Sequence, residues 1–401
     1  MFLTPKKQKA RSFDEVIAML DGGGEKTGSG IYVNEQKAMQ QSTVWACVRI
    51  ISEIIAQLPI EVQVKEGATW KNAEQHDLLE LLAEPNEWQT QHDLISFMIA
   101  WSEMRGNAYF YKVKNGRGDV KKLLPIPGTD CTPSMREGWK INYTVASDQG
   151  IVGDFSKNRI FHFRNFGNDG YMGLSTIGCH KEGIGLALAL ESHAVSAYKN
   201  GLQSNKWVEL SGSGSLDDRA KEKFRSELAK FQGHQNAGAI PAFGNAKIHE
   251  LNGMSATDAQ YIESRKMQKQ EIASVFGVPL FLLNDTEKST TWGTGLEQIS
   301  RSFVRFSLNP RLNRTSQTLV REFIPSEKRR STRIIFDTDQ FTLGEFKQRM
   351  EGYRSGIDSG VLNPNECREI EGRQPRDGGE EYRIPMNTIN EGQTNEDEIS
   401  N

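Results

Sequence analysis

The feature that most constrains this chain is a helix-start pattern, Ser or Thr followed three residues later by an acid, found at Thr90 with Asp93, Ser215 with Asp218, Ser255 with Asp258, Thr294 with Glu297, and Thr342 with Glu345. The hydroxyl accepts from an orphan amide of the first turn and the acid accepts from the cap amide, so each pair predicts where a helix opens. A further start, Asn363 with Pro364 and Glu366, places proline where its missing N–H costs nothing. Most of these starts lie beyond residue 200, so helices are expected to dominate the second half.

The first half mixes two periodicities. Val44, Cys47, Val48, Ile51, Ile54, Ile55 and Leu58 recur at helical spacing up to Pro59, after which Ile60, Val62 and Val64 alternate as a strand. Residues 108–113, 140–145 and 159–163 read as further strands, with Asn115-Gly116 as a turn signal. The fold class is therefore α+β. Residues 177–200 predict a helix of roughly 24 residues, about 36 Å, whose apolar face through Leu186, Leu188, Leu190, Ala194 and Val195 is broad enough to be buried on several sides. Extended segments at 207–210, 239–243 and 247–251 and the helix from Ser215 form a small α/β insert before a second long helix, 255–276, which stops at Gly277-Val278-Pro279. A polar loop, 284–293, leads to a third helix, 295–323, in which Pro310 predicts a kink. A strand at 333–337 and a helix at 343–353 follow.

The ends have little to bury. Residues 1–35 carry Lys6, Lys7, Lys9, Arg11 and glycine runs and read as a flexible arm; residues 376–401 read as an acidic, disordered tail. The formal net charge of −3 excludes a basic nucleic-acid coat. With a mean hydropathy of −0.57 and no apolar run of the ~18 residues a spanning helix needs, a soluble protein is expected. Cys47, Cys131, Cys179 and Cys367 fit no C-x-x-C pair and follow no signal peptide, which suits a reducing cytoplasm.

No enzymatic motif emerges. In Gly22-Gly23-Gly24-Glu25-Lys26-Thr27, glutamate stands where a phosphate loop needs glycine before lysine. Gly173-Leu174-Ser175 lacks the second glycine of a nucleophile elbow, so Ser175 reads as a helix start. His76, His92, His162, His180, His193, His234 and His249 contain no zinc-binding i, i+4 pair with an intervening glutamate. Asp217-Asp218 and Asp337-Asp339 are carboxylate pairs at a helix start and a strand end, without a nuclease lysine pattern beside them. The basic stretch Arg321, Lys328, Arg329, Arg330 and Arg333 reads as a solvated turn with no interleaved aromatics for base stacking. No catalytic, metal or cofactor site is expected.

Several strings, in order, resemble one family, the portal proteins of tailed bacteriophages of the Hong Kong 97 type. They are Ser42 to Pro59, Glu84-Pro85-Asn86, Arg105-Gly106-Asn107-Ala108-Tyr109, Ile160-Phe161-His162-Phe163, Gly173-Leu174-Ser175-Thr176-Ile177, Glu271-Ile272-Ala273, Phe276-Gly277-Val278-Pro279 and Asn309-Pro310. The resemblance implies a dodecameric ring at one capsid vertex, a channel through which double-stranded DNA passes non-specifically in packaging and ejection. It implies as partners the large terminase subunit, head-completion or adaptor proteins, and the major capsid and scaffold proteins, with the virion as location and the bacterial cytoplasm as site of assembly. It divides the chain into a wing (36–176), a stem helix (177–205), a clip (206–254), a second stem helix (255–278), a tunnel loop (279–293), a long kinked helix with the rest of the wing (294–340), and a helical crown (341–375). The DNA-facing residues would be Asn284, Asp285, Thr286, Glu287, Lys288, Ser289, Thr290 and Thr291, and the terminase-facing ones Lys221, Lys223 and Arg225. Near-neutral charge suits such a passage, because each neutralised phosphate would add affinity that holds the duplex. Another minor capsid or head-completion protein, or a packaging nuclease or ATPase, is the alternative.

Overall fold

In a computed structural model of the chain, the residues described are 25–73, 75–199, 206–210, 219, 222, 226, 246–250, 254–285, 294–338 and 346–383. The chain divides into two compact units, Met1–Phe336 and Asp337–Asn401.

The first unit opens with a hairpin of β1 (Glu25–Lys26) and β2 (Tyr32–Val33), followed by α1 (Glu35–Gln40). Residues 25–35 are thus folded, against the expectation of a flexible arm over 1–35. Tyr32 and Val33 are buried, and the Gly28 amide donates to Glu182 at 2.8 Å, contacts too distant in sequence to be read locally. The helix α2 (Ser42–Ala56) is capped by Gln41, whose Oε1 accepts from the Val44 amide at 2.8 Å, and it buries the stripe Val44, Cys47, Val48, Ile51 and Ile55. Burial pushes the Cys47 thiol up to about 12, which keeps it protonated and inert.

Then come β3 (Ile60–Glu66), β4 (Thr69–Asn72), α3 (Asp77–Ala83) and α4 (Gln91–Arg105). The predicted capping box is formed: the Asp93 amide donates to Thr90 Oγ1 at 3.3 Å and the Thr90 amide to Asp93 Oδ2 at 3.0 Å. Six strands follow, β5 (Asn107–Lys114), β6 (Val120–Ile126), β7 (Cys131–Arg136), β8 (Lys140–Ala146), β9 (Val152–Ser156) and β10 (Ile160–Arg164). They make two antiparallel sheets, β10-β5-β6 and β7-β8-β9. Tyr109, Ile126 and Ile160 of the first sheet pack with Cys131, Tyr143 and Val145 of the second. From the other face of β5, Phe110 meets Phe97 of α4 edge-on with ring centroids 5.6 Å apart. Because side chains alternate along a strand, this central strand is buried on both faces.

Three of the family-like strings converge at one backbone junction. Gly106 ends α4 in the left-handed conformation (φ 78°), and the Asn165 amide donates to its carbonyl at 2.7 Å. A Cβ on Gly106 would lie 2.3 Å from the Leu174 carbonyl oxygen, and one on Gly173 would lie 1.9 Å from the Gly106 oxygen, so two chain segments cross where side chains have no room. Asn107 Oδ1 accepts from the Gly173 amide at 2.8 Å and from His162 Nε2 at 2.9 Å, and the Tyr143 hydroxyl donates to His162 Nδ1 at 3.2 Å. That set of partners keeps the imidazole neutral with its proton on Nε2, and desolvation holds it well down, at about 3.

Ser175 caps α5 (Thr176–Cys179), accepting from the Gly178 amide at 2.9 Å, as a helix start should. The expected single helix over 177–200 is broken at His180, beyond which α6 runs from Lys181 to Lys199. Glycines at 178, 183 and 185 weaken helical continuity around that break. At the far end, β11 (Lys206–Leu210) pairs antiparallel with β12 (Ala246–Glu250), and α7 (Met254–Phe276) runs back alongside α6. This helix already includes Ser255, so Ser255 lies inside its first turn rather than at the cap. Thr294 likewise lies within α8 (Thr294–Ser302). The insert's expected strand at 239–243 and the caps at Ser215 and Thr342 lie outside the described residues.

The third long helix is not one α-helix kinked at Pro310. After α8 comes a π-helical turn, Phe303–Leu308, and then α9 (Asn309–Phe323), with Pro310 in its first turn. Proline can neither donate to residue 306 nor tolerate its carbonyl close by, and a wider turn relieves both; the Asn309 amide reaches back to Val304 O. Finally β13 (Thr332–Phe336) pairs with β3, Ile334 opposite Val62, completing the sheet β13-β3-β4.

The second unit holds α10 (Phe346–Asp358) and α11 (Pro364–Ile370). The predicted cap is present: the Glu366 amide donates to Asn363 Oδ1 and the Asn363 amide to Glu366 Oε2, each at 2.8 Å. Arg349 pairs with Glu371 at 2.9 Å. Residues 376–383, expected within a disordered tail, are instead tied down: the Arg376 amide donates to Asn365 Oδ1 at 2.9 Å and the Tyr382 hydroxyl to Glu366 Oε1 at 2.6 Å.

Candidate functional site

The loop between α7 and α8 is the candidate contact surface, and its anchorage follows from local chemistry. Gly277 (φ 69°) ends α7, and a Cβ there would lie 2.9 Å from Ser307 Oγ. Pro279 precedes a 3-10 turn, Leu280–Leu283, and Asn284 adopts the left-handed conformation (φ 55°), which asparagine tolerates better than most residues. The Asn284 amide donates to Phe281 O and the Asp285 amide to Leu280 O, each at 3.1 Å. Lys269 of α7 then clasps the exit, 3.1 Å from Asp285 Oδ2 and donating to Leu283 O at 3.1 Å. Of the predicted loop residues, Asn284 and Asp285 are brought together and held against α7; Thr286, Glu287, Lys288, Ser289, Thr290 and Thr291 lie outside the described residues. Lys221, Lys223 and Arg225 also lie outside them; their neighbours Arg219, Glu222 and Ser226 are helical and exposed.

Sequence reasoning missed the group to which both sides of the loop connect. Arg311, in α9, donates Nε to Glu103 Oε1 at 2.7 Å and Nη2 to Glu103 Oε2 at 2.9 Å. The same guanidinium donates to Ser307 O at 2.8 Å, Ser307 Oγ at 3.0 Å and Phe276 O at 3.0 Å. Asn165 Nδ2 donates to Glu103 Oε1 at 3.2 Å, and Arg314 donates to Asn165 Oδ1. One planar cation thus joins α4, the last turn of α7 and the π-helical turn, donating to the Phe276 and Ser307 carbonyls. The available signal was Glu103 itself, four residues after Ile99 and eight after Ile95 on the buried face of α4.

Two side chains of the basic stretch are used by the fold. Arg329 donates to Ile324 O at 2.9 Å and Arg321 O at 2.7 Å, capping α9, and Arg333 lies over the Trp70 ring at 4.4 Å. Among the described residues, no group of three His, Cys, Asp or Glu is placed to hold a metal ion.

A pair of long helices carrying a two-stranded element at its end, rooted in an α+β body and followed by an anchored loop and an irregular long helix, defines a connector-type structural protein. The chain belongs to the phage portal protein family, the head-tail connectors of tailed phages, whose family model matches residues 42–372. It is 30% identical over 353 residues to the portal protein of Enterobacteria phage HK97, spanning 87% of this chain and 82% of that one. The fold is shared with a chain from the neck of an empty gene transfer agent particle (TM-score 0.60, 22% identity, 91% of this chain and 100% of that chain). It is also shared with an HK97 family phage portal protein from Corynebacterium diphtheriae (TM-score 0.56, 13% identity, 77% and 96%).

Proposed function

We propose that this chain assembles into a closed homo-oligomeric ring, twelve copies being expected, at one vertex of the virion, and that double-stranded DNA passes through it in packaging and ejection. The observation that carries this reading is the family match over residues 42–372, together with 30% identity over 353 residues to a phage portal protein. In this reading α6 and α7 are the stem, residues 206–254 the clip that meets the large terminase subunit and head-completion proteins, residues 279–293 the tunnel loop, and residues 341–375 the crown. The wing, from 36–176 and 294–340, faces capsid and scaffold proteins. The anchorage of Asn284 and Asp285 to α7 supports the loop assignment, since it fixes where the segment leaves the stem. Assembly takes place in the host cytoplasm and needs no cofactor or enzymatic step. Native mass measurement and electron microscopy of the purified protein test the reading: ring particles with a central channel are expected, and a protein that stays monomeric at high concentration and forms no ring in assembled particles overturns it.

A further inference from the structure

The basic stretch at the end of α9 holds cations that the fold does not use. Arg329 and Arg333 are taken up by the fold, but Arg321, Lys328 and Arg330 are exposed, and among the described residues their side chains have no ion-pair or hydrogen-bond partner. The same holds for Arg159, in the turn between β9 and β10. Lys157 of that turn is exposed too, 3.9 Å from Glu322 Oε2, in a carboxylate whose other oxygen already accepts from the buried Lys112.

These groups surround one helix end. Lys157 reaches Glu322 in the last turn of α9, and Arg329 donates to Arg321 O in the same turn at 2.7 Å. Phe323 meets Phe161 of β10 with ring centroids 5.2 Å apart, and the Arg159 carbonyl accepts from the Lys112 amide at 2.8 Å, so the 157–159 turn is held beside the helix. Lys328 and Arg330 ride on a closed turn, in which the Ser331 amide donates to Lys328 O at 3.0 Å. Within 157–159 and 321–331 the one exposed carboxylate is Glu327. A helix C-terminus attracts cations, which explains Arg329, the cap of α9; none of the other five donates to the carbonyls there.

We propose that this surface, Lys157, Arg159, Arg321, Lys328 and Arg330, holds duplex DNA by its phosphate backbone outside the channel, without reading sequence. Clustered cations displace the counterions of a polyanion, and that gain needs no base contact. Neither 157–159 nor 321–331 exposes a large apolar side chain of the kind that anchors protein–protein interfaces, whereas protein–DNA interfaces are polar and positive. The helical run from Thr294 to Phe323, up to about 45 Å long, separates the patch from the loop at 284–293. Grip is set apart from passage: a duplex held at the far end of α9 is not the stretch that must slide. The patch is complete within one copy, so the inference does not depend on the ring.

The test is binding of the purified full-length chain to covalently closed circular duplex DNA, which has no end to thread through a ring, measured from about 50 to about 200 mM salt. The wild type is expected to bind with a steep loss of affinity as salt rises. Arg321→Gln, Lys328→Gln and Arg330→Gln together are expected to lower affinity at least about tenfold at 0.1 M salt and to reduce the slope of log K against log salt by about 2–3. Native mass and denaturation midpoint should not move, since these side chains are exposed and unbonded. Arg321→Lys with Arg330→Lys keeps the charge and should bind as the wild type does. An equal charge loss on the proposed clip, Lys221→Gln, Lys223→Gln and Arg225→Gln, is expected to leave binding unchanged. So is Trp139→Ala, which removes an aromatic 88% exposed at the tip of the β7–β8 hairpin that a protein partner would use. Equal losses in the two triple variants would reduce the effect to net charge and overturn the inference, as would a wild type that ignores the circle. A wild type that ignores the circle but binds polyglutamate through the same three side chains would make the surface a dock for an acidic polypeptide instead. A strictly monomeric protein that still binds the circle through them overturns the ring and leaves this inference standing.

Discussion

Arg311 and Glu103, 208 residues apart in sequence, meet in a two-pronged ion pair with Nε–Oε1 and Nη2–Oε2 distances of 2.7 and 2.9 Å. The Glu103 side chain is 3% exposed and that of Arg311 18% exposed. Water therefore offers little compensation if either partner is lost, and the same guanidinium holds Phe276 O and Ser307 O on the two sides of the candidate loop.

Arg311→Ala leaves a buried carboxylate without its partner and removes a donor from two carbonyls, and is expected to destabilise the protein by about 3–5 kcal/mol. The double variant Glu103→Leu, Arg311→Met removes both charges and is expected to recover part of that loss. Chemical denaturation of the purified proteins measures both; an Arg311→Ala protein as stable as the wild type contradicts the assigned role.

Stability should fall in mild acid through His162. Its folded-state value, about 3, lies below the ordinary 6.5, so the unfolded chain takes up the proton first. The native state's advantage is full above about pH 6.5 and shrinks as pH falls toward 3, with a slope of at most about 1.4 kcal/mol per pH unit. His162→Gln, which keeps an acceptor for Tyr143, is expected to flatten denaturation midpoints measured between pH 6.5 and 4. An unchanged slope would assign the acid sensitivity elsewhere.

Gly173→Ala should prevent normal folding, because its Cβ would lie 1.9 Å from the Gly106 carbonyl oxygen and neither backbone can yield without moving α4 or α5. Gly116→Ala, in open space at a hairpin turn, is the matched control and should express and fold normally. Soluble yield and circular dichroism compare the two.

Replacing residues 285–290 with a Gly-Ser link should preserve folding and ring assembly, since it breaks the Asp285–Lys269 ion pair, which is partly exposed and contributes little to stability. DNA packaging or retention of packaged DNA is expected to drop. Full-length genomes packaged and held at wild-type yield would make the loop a connector only.

Charge reversal of Lys221, Lys223 and Arg225 together should weaken terminase binding in a pull-down and leave rings intact by electron microscopy. Undiminished binding removes that helix from the motor-facing surface.

What the sequence determined by itself was local. The caps at Thr90–Asp93 and Asn363–Glu366 and the stripe from Val44 to Ile55 were legible because their hydrogen bonds or periodicity close within a few residues. The ordered motifs also pointed to the family. Even so, local reading misplaced what depends on distant partners: the hairpin at residues 25–33, whose Gly28 answers to Glu182, and residues 376–383, which lean on Asn365 and Glu366. It foresaw that Pro310 would disturb a helix but not that the disturbance would become a π-helical turn before it, whose Ser307 carbonyl a guanidinium satisfies. Only the tertiary structure decided that β13 pairs with β3, that Gly106 and Gly173 share one crossing, and that Glu103 receives Arg311. A residue's own segment fixes its backbone preference, whereas the identity of a partner hundreds of residues away is set by how the packed elements bring their buried faces together.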